Sequence, residues 1–189
     1  HKRVGPVSDL LADLAQNSDL SDEELAVAGW LVLVGGHETT TNMLALGTFA
    51  LFCNEDQLDL LRSQPALVDD AVEELLRYLT IVQFSVTRTA LEDVQLSDDL
   101  LVKKGETVTV SLPAANRDPS RFEEPDNLDV ARPPGGHVAF GHGVHQCIGQ
   151  QLARIEMRVG FSELLRRFPS LHLAVSPDQV PLGNDMSIY

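Results

Sequence analysis

Cysteine is scarce in this chain. Cys53 and Cys147 are the only two among 189 residues, which excludes a disulfide framework and fits a reducing compartment with one thiol free for chemistry. Cys53 sits in Ala50-Leu51-Phe52-Cys53 and is expected to be a buried apolar side chain. Basic residues are few as well: 14 Lys and Arg stand against 28 Asp and Glu, a net charge of −14. That balance argues against a phosphate-neutralising nucleic-acid surface and against attraction to an anionic membrane. No long apolar run is present. The longest, Ala26 to Gly36, has 11 residues and ends on His37-Glu38, too short for a bilayer and expected to be a buried helix. There are no repeats, no low-complexity tract, no Gly-x-Gly-x-x-Gly after a strand and no cysteine set for an iron–sulfur cluster, so no electron-carrying cofactor site of those kinds is encoded here. No basic-then-apolar leader opens the chain, and a cytoplasmic address is the simplest reading.

What is present is an ordinary globular composition, 43% apolar and 22% charged, with one domain as the default. A short helix is expected over 9–16. Ser21 and Glu24 form a capping box ahead of a long helix from about 22 to 52, whose interior Gly35-Gly36 pair costs about 1 kcal/mol per glycine against alanine. Asn54 and Gln57 repeat the capping pattern for a helix to about Ser63. Pro65 opens another, with Leu67, Ala71, Val72, Leu75, Leu76 and Leu79 on one face. From Ile81 to Leu112 the β-branched pattern predicts short strands, Thr107 to Val110 the clearest. Residues 113–146, punctuated by Pro113, Pro119, Pro125, Pro133, Pro134, Gly135 and Gly136, read as a long functional loop. The last helix is expected over Ile148 to Phe168, with Ile148, Leu152, Ile155, Val159 and Leu165 buried.

Three places carry chemistry. In Phe140-Gly141-His142-Gly143-Val144-His145-Gln146-Cys147-Ile148-Gly149 a cysteine follows two loop glycines and precedes a helix. Amides and the dipole at a helix start favour the thiolate, the form that binds metals, and Gly141, Gly143 and Gly149 leave room for a flat group against the backbone. His137, His142 and His145 keep a zinc site with Cys147 open as an alternative. In Gly35-Gly36-His37-Glu38-Thr39-Thr40 a carboxylate beside a hydroxyl is suited to proton delivery. Glu74 and Arg77, three apart on a helix, read in isolation as a surface ion pair.

Together these segments resemble the cytochrome P450 family. Phe140, Gly143, Cys147 and Gly149 match its Phe-x-x-Gly-x-x-x-Cys-x-Gly pattern, and Glu74 and Arg77 match its Glu-x-x-Arg pair. The resemblance implies a fold that is mainly α with small β-sheets, and haem b with its iron on Cys147. Gly35, Gly36, Arg88, Phe140, Gly141, Gly143, His145 and Gly149 are implied cofactor-binding residues, with Arg88 and His145 at the propionates. Glu38 and Thr39 become the catalytic acid and alcohol, and Glu74 and Arg77 a buried structural pair. The family places a third partner, an arginine, in a Pro-Asp-Arg context; here Pro125-Asp126-Asn127 puts Asn127 there, so an altered network is expected.

The same resemblance implies activation of O2 and insertion of one oxygen atom into a hydrophobic small molecule. Leu33, Val34, Val82, Gln83, Phe84, Asn184 and Met186 would line the substrate pocket. Electrons would come from a ferredoxin and its reductase, and the arginine excess on the last helix (Arg154, Arg158, Arg166, Arg167) could steer an acidic donor. By this reading residues 1–189 are a single haem-binding domain, a C-terminal part of the fold without its N-terminal half and extreme C-terminus. The alternative is a non-catalytic haem- or zinc-binding module built on the His/Cys loop. A peroxide-driven or isomerising haem-thiolate enzyme is the third.

Overall fold

Helix signals in the sequence are met almost residue for residue in the computed structural model, which describes residues 9–83 and 87–182. Phe84, Asn184 and Met186 lie outside the described residues. The chain is mainly α-helical with two small antiparallel sheets. It forms two compact units, His1–Glu38 and Thr39–Tyr189, and the longest helix contributes to both.

In the first unit, α1 (Leu10–Asn17) is capped by Asp9, whose Oδ1 accepts the Ala12 N–H at 2.9 Å. The helix α2 (Asp22–Cys53) starts at the expected capping box: the Ser21 N–H donates to Glu24 Oε2 at 2.8 Å and the Glu24 N–H to Ser21 Oγ at 3.3 Å. A Cβ at Gly29 would lie 3.2 Å from Leu11 Cδ1, so the two helices touch there. The stretch from Ala26 to Gly36 is not buried as expected. Val27, Trp30, Leu31 and Leu33 are each more than half exposed. Apolar side chains surround this helix instead of gathering on one face, and a single short neighbour covers only one side of it.

The second unit is built on the rest of α2, then α3 (Glu55–Ser63), α4 (Val68–Leu79) and α6 (Gln150–Arg167). A 3-10 turn at Pro65–Leu67 leads into α4, which buries Ala71, Val72, Leu75 and Leu76 on the expected face. Asn54 does not cap α3 with its side chain, because its Nδ2 donates back to Ala50 O at 2.8 Å and Gln57 Oε1 is taken by the Val130 N–H. Cys53 is exposed, contrary to expectation, since it ends α2 beyond the buried Ala50 and Leu51.

Two glycines set how α2 meets α6. A Cβ at Gly47 would lie 2.6 Å from Phe161 Cζ, and one at Gly160 would lie 2.7 Å from Leu44 Cδ2. This approach selects the face of α6 that carries Ala153, Met157 and Phe161, with Leu165 partly buried as expected. Ile148, Leu152, Ile155 and Val159 are instead exposed, at 94%, 61%, 49% and 53%. The helix has apolar residues on two faces, and periodicity alone did not say which one would be covered.

Between these helices, β1 (Arg88–Thr89) pairs with β4 (Thr107–Val108), and β2 (Val94–Ser97) with β3 (Leu100–Val102). The strand expected to reach Val110 stops at Val108. The loop from 113 is interrupted at its start by α5 (Leu112–Asn116), where Ser111 Oγ accepts the Ala114 N–H and Pro113 occupies the first turn. A second interruption is the 3-10 turn Gly143–His145 before α6.

Candidate functional site

Arg77 is the most tightly held side chain near the cysteine loop. It is buried, and its Nε and Nη2 donate to the two carboxylate oxygens of Glu74 at 2.7 and 2.8 Å. Its Nη1 donates to Asn116 O and Pro125 O, and Nη2 also to Asn127 O at 3.2 Å, so all five N–H donors of the guanidinium are placed. Glu74 accepts two further bonds, from the Asp129 N–H and from Arg132 Nε, both at 3.0 Å. The surface-pair reading of Glu74 and Arg77 in isolation is therefore replaced by a buried, fully bonded cluster.

An arginine from the loop does complete this cluster, but it is Arg132 and not the residue at 127. Asn127 contributes its backbone carbonyl, while its side chain donates to Glu124 at 3.0 Å. The network is thus altered at 127, as expected, with its third charge supplied by Arg132. No local pattern flags Arg132; only the fold of 125–132 turns it back onto Glu74.

Asn116, fully buried, joins this cluster to the loop. Its Nδ2 donates to Thr80 Oγ1 at 2.8 Å and its Oδ1 accepts the Val138 N–H at 2.7 Å, just before Phe140. Thr80 closes α4 in the left-handed region at φ 40°.

The cysteine loop is open on the side of Cys147. The Cys147 N–H donates to Phe140 O at 2.9 Å, and its thiol side chain is exposed. Gly141 and Gly143 have φ of 72° and 74°, where a side chain would be strained, and a Cβ at Gly143 would meet nothing within 4 Å. Val144 and Ile148, on either side, are 97% and 94% exposed, and His145 is exposed between them. A turn at Ile148-Gly149 separates Cys147 from the first residue of α6, with the Gln150 N–H 3.4 Å from Cys147 O.

Both ring nitrogens of His137 are bonded to groups other than Cys147. Its Nδ1 accepts the Ala139 N–H at 3.2 Å and its Nε2 lies 3.0 Å from Glu73 Oε2, which assigns the Nε2–H tautomer from the bonding pattern. Glu73 also holds Arg154, through Nε at 2.6 Å and Nη2 at 3.1 Å. Burial by itself would push the Glu73 carboxyl up, but the hydrogen bonds from His137 and Arg154 and the arginine charge outweigh it and hold it at about 2. No group of three His, Cys, Asp or Glu among the described residues is arranged to hold a metal ion, so the zinc reading loses its donor set.

The other expected residues are distributed as follows. Arg88 lies exposed on β1. Val82 is partly buried against the core, and Gln83 Nε2 donates to Thr80 O at 2.8 Å. In the first unit Leu33, Val34, Gly35, Gly36 and Glu38 are exposed on an uninterrupted α2, and a Cβ at either glycine would meet nothing within 4 Å. Thr39, half-buried, opens the second unit. The arginines of α6 are less available to a partner than their number implied: Arg154 is taken by Glu73, Arg158 lies 3.7 Å from Asp69, and Arg166 and Arg167 share Glu163. No helix among the described residues is long and apolar enough to cross a membrane.

The profile of the family described as Cytochrome P450 matches residues 6–181. Cytochrome P450 105C1 of a Streptomyces species is 54% identical over 189 residues, which is all of this chain and 49% of that protein. Cytochrome P450 monooxygenase PikC of Streptomyces venezuelae is 45% identical over 184 residues, covering 95% of this chain and 44% of its own length. Among solved structures, Streptomyces peucetius CYP105P2 in complex with a biphenyl compound superposes with a TM-score of 0.95 at 44% identity, over 100% of this chain and 48% of that one. The chain thus spans about half the length of the relatives it matches.

Proposed function

The chain belongs to the cytochrome P450 family, whose members bind haem with the iron on a cysteine thiolate, and from that premise we propose that it is the haem-binding part of a monooxygenase acting on a hydrophobic small molecule. When bound, the haem supplies the iron at which O2 is activated and one oxygen atom is passed to the substrate, with thiolate ligation favouring that chemistry.

Cys147 is the proposed ligand. The observation that carries this is an exposed thiol on a loop whose neighbours Val144 and Ile148 are almost wholly exposed and whose glycines take backbone angles closed to other residues. Such a surface fits a flat apolar ring, and the single sulfur donor fits an iron whose other ligands come from the ring itself. Phe140 orients the loop by accepting the Cys147 N–H, while Gly141, Gly143 and Gly149 keep the backbone low. Arg88 and His145 are suited to donate to the anionic carboxylates of the cofactor. Gly35 and Gly36 are assigned to the cofactor side of α2. Glu38 and Thr39, neighbours in sequence, offer a carboxyl and a hydroxyl for proton delivery. Leu33 and Val34 in the first unit and, separately, Val82 in the second are apolar side chains suited to an apolar substrate. Residues 1–189 act in this reading as one haem-binding domain in the cytoplasm, although two compact units form it. Electrons come, in this reading, from a ferredoxin and its reductase.

The test is the absorption spectrum of the full-length protein, reduced and treated with carbon monoxide. A Soret band far to the red of histidine-ligated haem, lost in Cys147→Ala, is the expected result. A folded protein that takes up no haem overturns the reading.

A further inference from the structure

Phe140 is held from outside the cysteine loop. The Arg154 guanidinium lies 4.6 Å from the Phe140 ring centroid, within cation–π range, and the His137 ring is 6.4 Å from the same ring, tilted by 48°. Both groups are anchored on one carboxylate, Glu73 of α4, which is mostly buried at 18% side-chain exposure, with His137 at 5% and Arg154 at 28%. Glu73 therefore fixes a residue at the start of the loop (His137) and a residue in the second turn of α6 (Arg154), which bracket Cys147 in sequence. Between them stands Phe140, whose carbonyl accepts the Cys147 N–H at 2.9 Å. Neither Glu73 nor Arg154 is used by the buried Glu74–Arg77 cluster, although Glu73 and Glu74 are neighbours on α4.

We propose that Glu73, Arg154 and His137 form a clamp that positions Phe140 and, through it, the Cys147 sulfur. These are positioning residues, since none of them touches the reacting atoms. The inference rests on the haem-thiolate reading of Cys147. Arg154 suits the task better than lysine would: its planar fork places two N–H groups on Glu73 while its Cζ stays over the Phe140 ring, 4.6 Å from the centroid.

The clamp has a consequence that a simple α4–α6 ion pair lacks: its effect must run through the Phe140 ring. The experiment follows the rate at which the full-length, haem-loaded protein, reduced and bound to carbon monoxide, loses its thiolate-type Soret band. Arg154→Met is expected to speed that loss about threefold, the size of one cation–π contact at a partly exposed site. Arg154→Lys, which keeps the charge but not the flat face, is expected to speed it about twofold. In a Phe140→Leu background neither substitution should add anything further.

Rates unchanged by Arg154→Lys and Arg154→Met overturn the clamp, as does an equal acceleration with and without the Phe140 ring, which marks a plain helix-to-helix ion pair. Should Arg154→Met fail to fold, Arg154→Lys with and without Phe140→Leu decides the question alone. A native protein without any thiolate-type band overturns the underlying haem-thiolate reading and the clamp with it. A native band with insensitive variants overturns the clamp only.

Discussion

Arg132 Nε donates to Glu74 Oε2 across 3.0 Å and 58 residues of chain, so the loop before the cysteine is tied to α4 by a charge that is itself 15% exposed on a carboxylate that is 1% exposed. A carboxylate so deeply placed is tolerable only while its oxygens are bonded. Arg132→Met removes one of these bonds and is expected to destabilise the protein by about 2–4 kcal/mol. Asn127→Ala keeps the carbonyl that Arg77 and Arg132 use, and should cost no more than about 0.5 kcal/mol. Denaturant unfolding of the two variants measures the contrast, and equal losses would contradict it.

Asn116 carries a second, independent tie. Its carboxamide uses Nδ2 on Thr80 and Oδ1 on the Val138 N–H, and the residue is fully buried. Asn116→Ala strands a buried hydroxyl acceptor and a backbone donor, an expected loss of about 2–3 kcal/mol. Asn116→Asp keeps the acceptor for Val138 but loses the donor to Thr80 and buries a charge, so it should be no better than alanine. Thermal unfolding with hydrogen exchange at Val138 reads both effects.

These ties explain which parts of the molecule could be read in the sequence. Helix starts were legible where a side chain closes on its own backbone three residues away, as at Ser21 and Glu24. At α3 the start and end were legible but the bonding was not, because the tertiary fold offers other partners: Asn54 turns back to Ala50 and Gln57 is taken by Val130. The face of α4 was legible because its apolar residues form one stripe, whereas α6 has two, and the glycine contacts at Gly47 and Gly160 choose between them. In the candidate site, the Glu74–Arg77 spacing was visible as a local pattern. Its completion by Arg132, and the pairing of Glu73 with His137 and Arg154, join residues 58, 64 and 81 apart and leave no local trace.

The glycines give a test of packing with opposite signs. An added methyl at Gly47 would sit 2.6 Å from the ring of Phe161, which is 1% exposed and has nowhere to move. Gly47→Ala is expected to cost about 1–3 kcal/mol despite the better helix propensity of alanine. Gly35→Ala meets nothing within 4 Å and should raise stability by up to about 1 kcal/mol. Melting temperatures of the two variants should move in opposite directions; a shared direction would mean that α2 is packed differently.

Glu73 sets the acid limb of stability. Its carboxyl is held at about 2 in the folded protein against an ordinary value of 4.5, so the folded state binds its proton less readily than the unfolded chain does. A depressed folded value means that the contribution is complete above the unfolded value and fades as pH falls from about 5 towards 2. Its size is roughly 1–2 kcal/mol once solvent screening of a partly exposed pair is allowed for. Glu73→Gln should therefore be less stable than the native protein at neutral pH and approach it at the acid end, as followed by urea unfolding at a series of pH values. Glu163, also held at about 2 by Arg166 and Arg167, has a half-exposed side chain on α6 where solvent screens the pair, and Glu163→Gln should leave that acid limb close to where it is. A gap between native protein and Glu73→Gln that stays constant down to the acid end would show that the stabilisation comes from shape and not from the charge on Glu73.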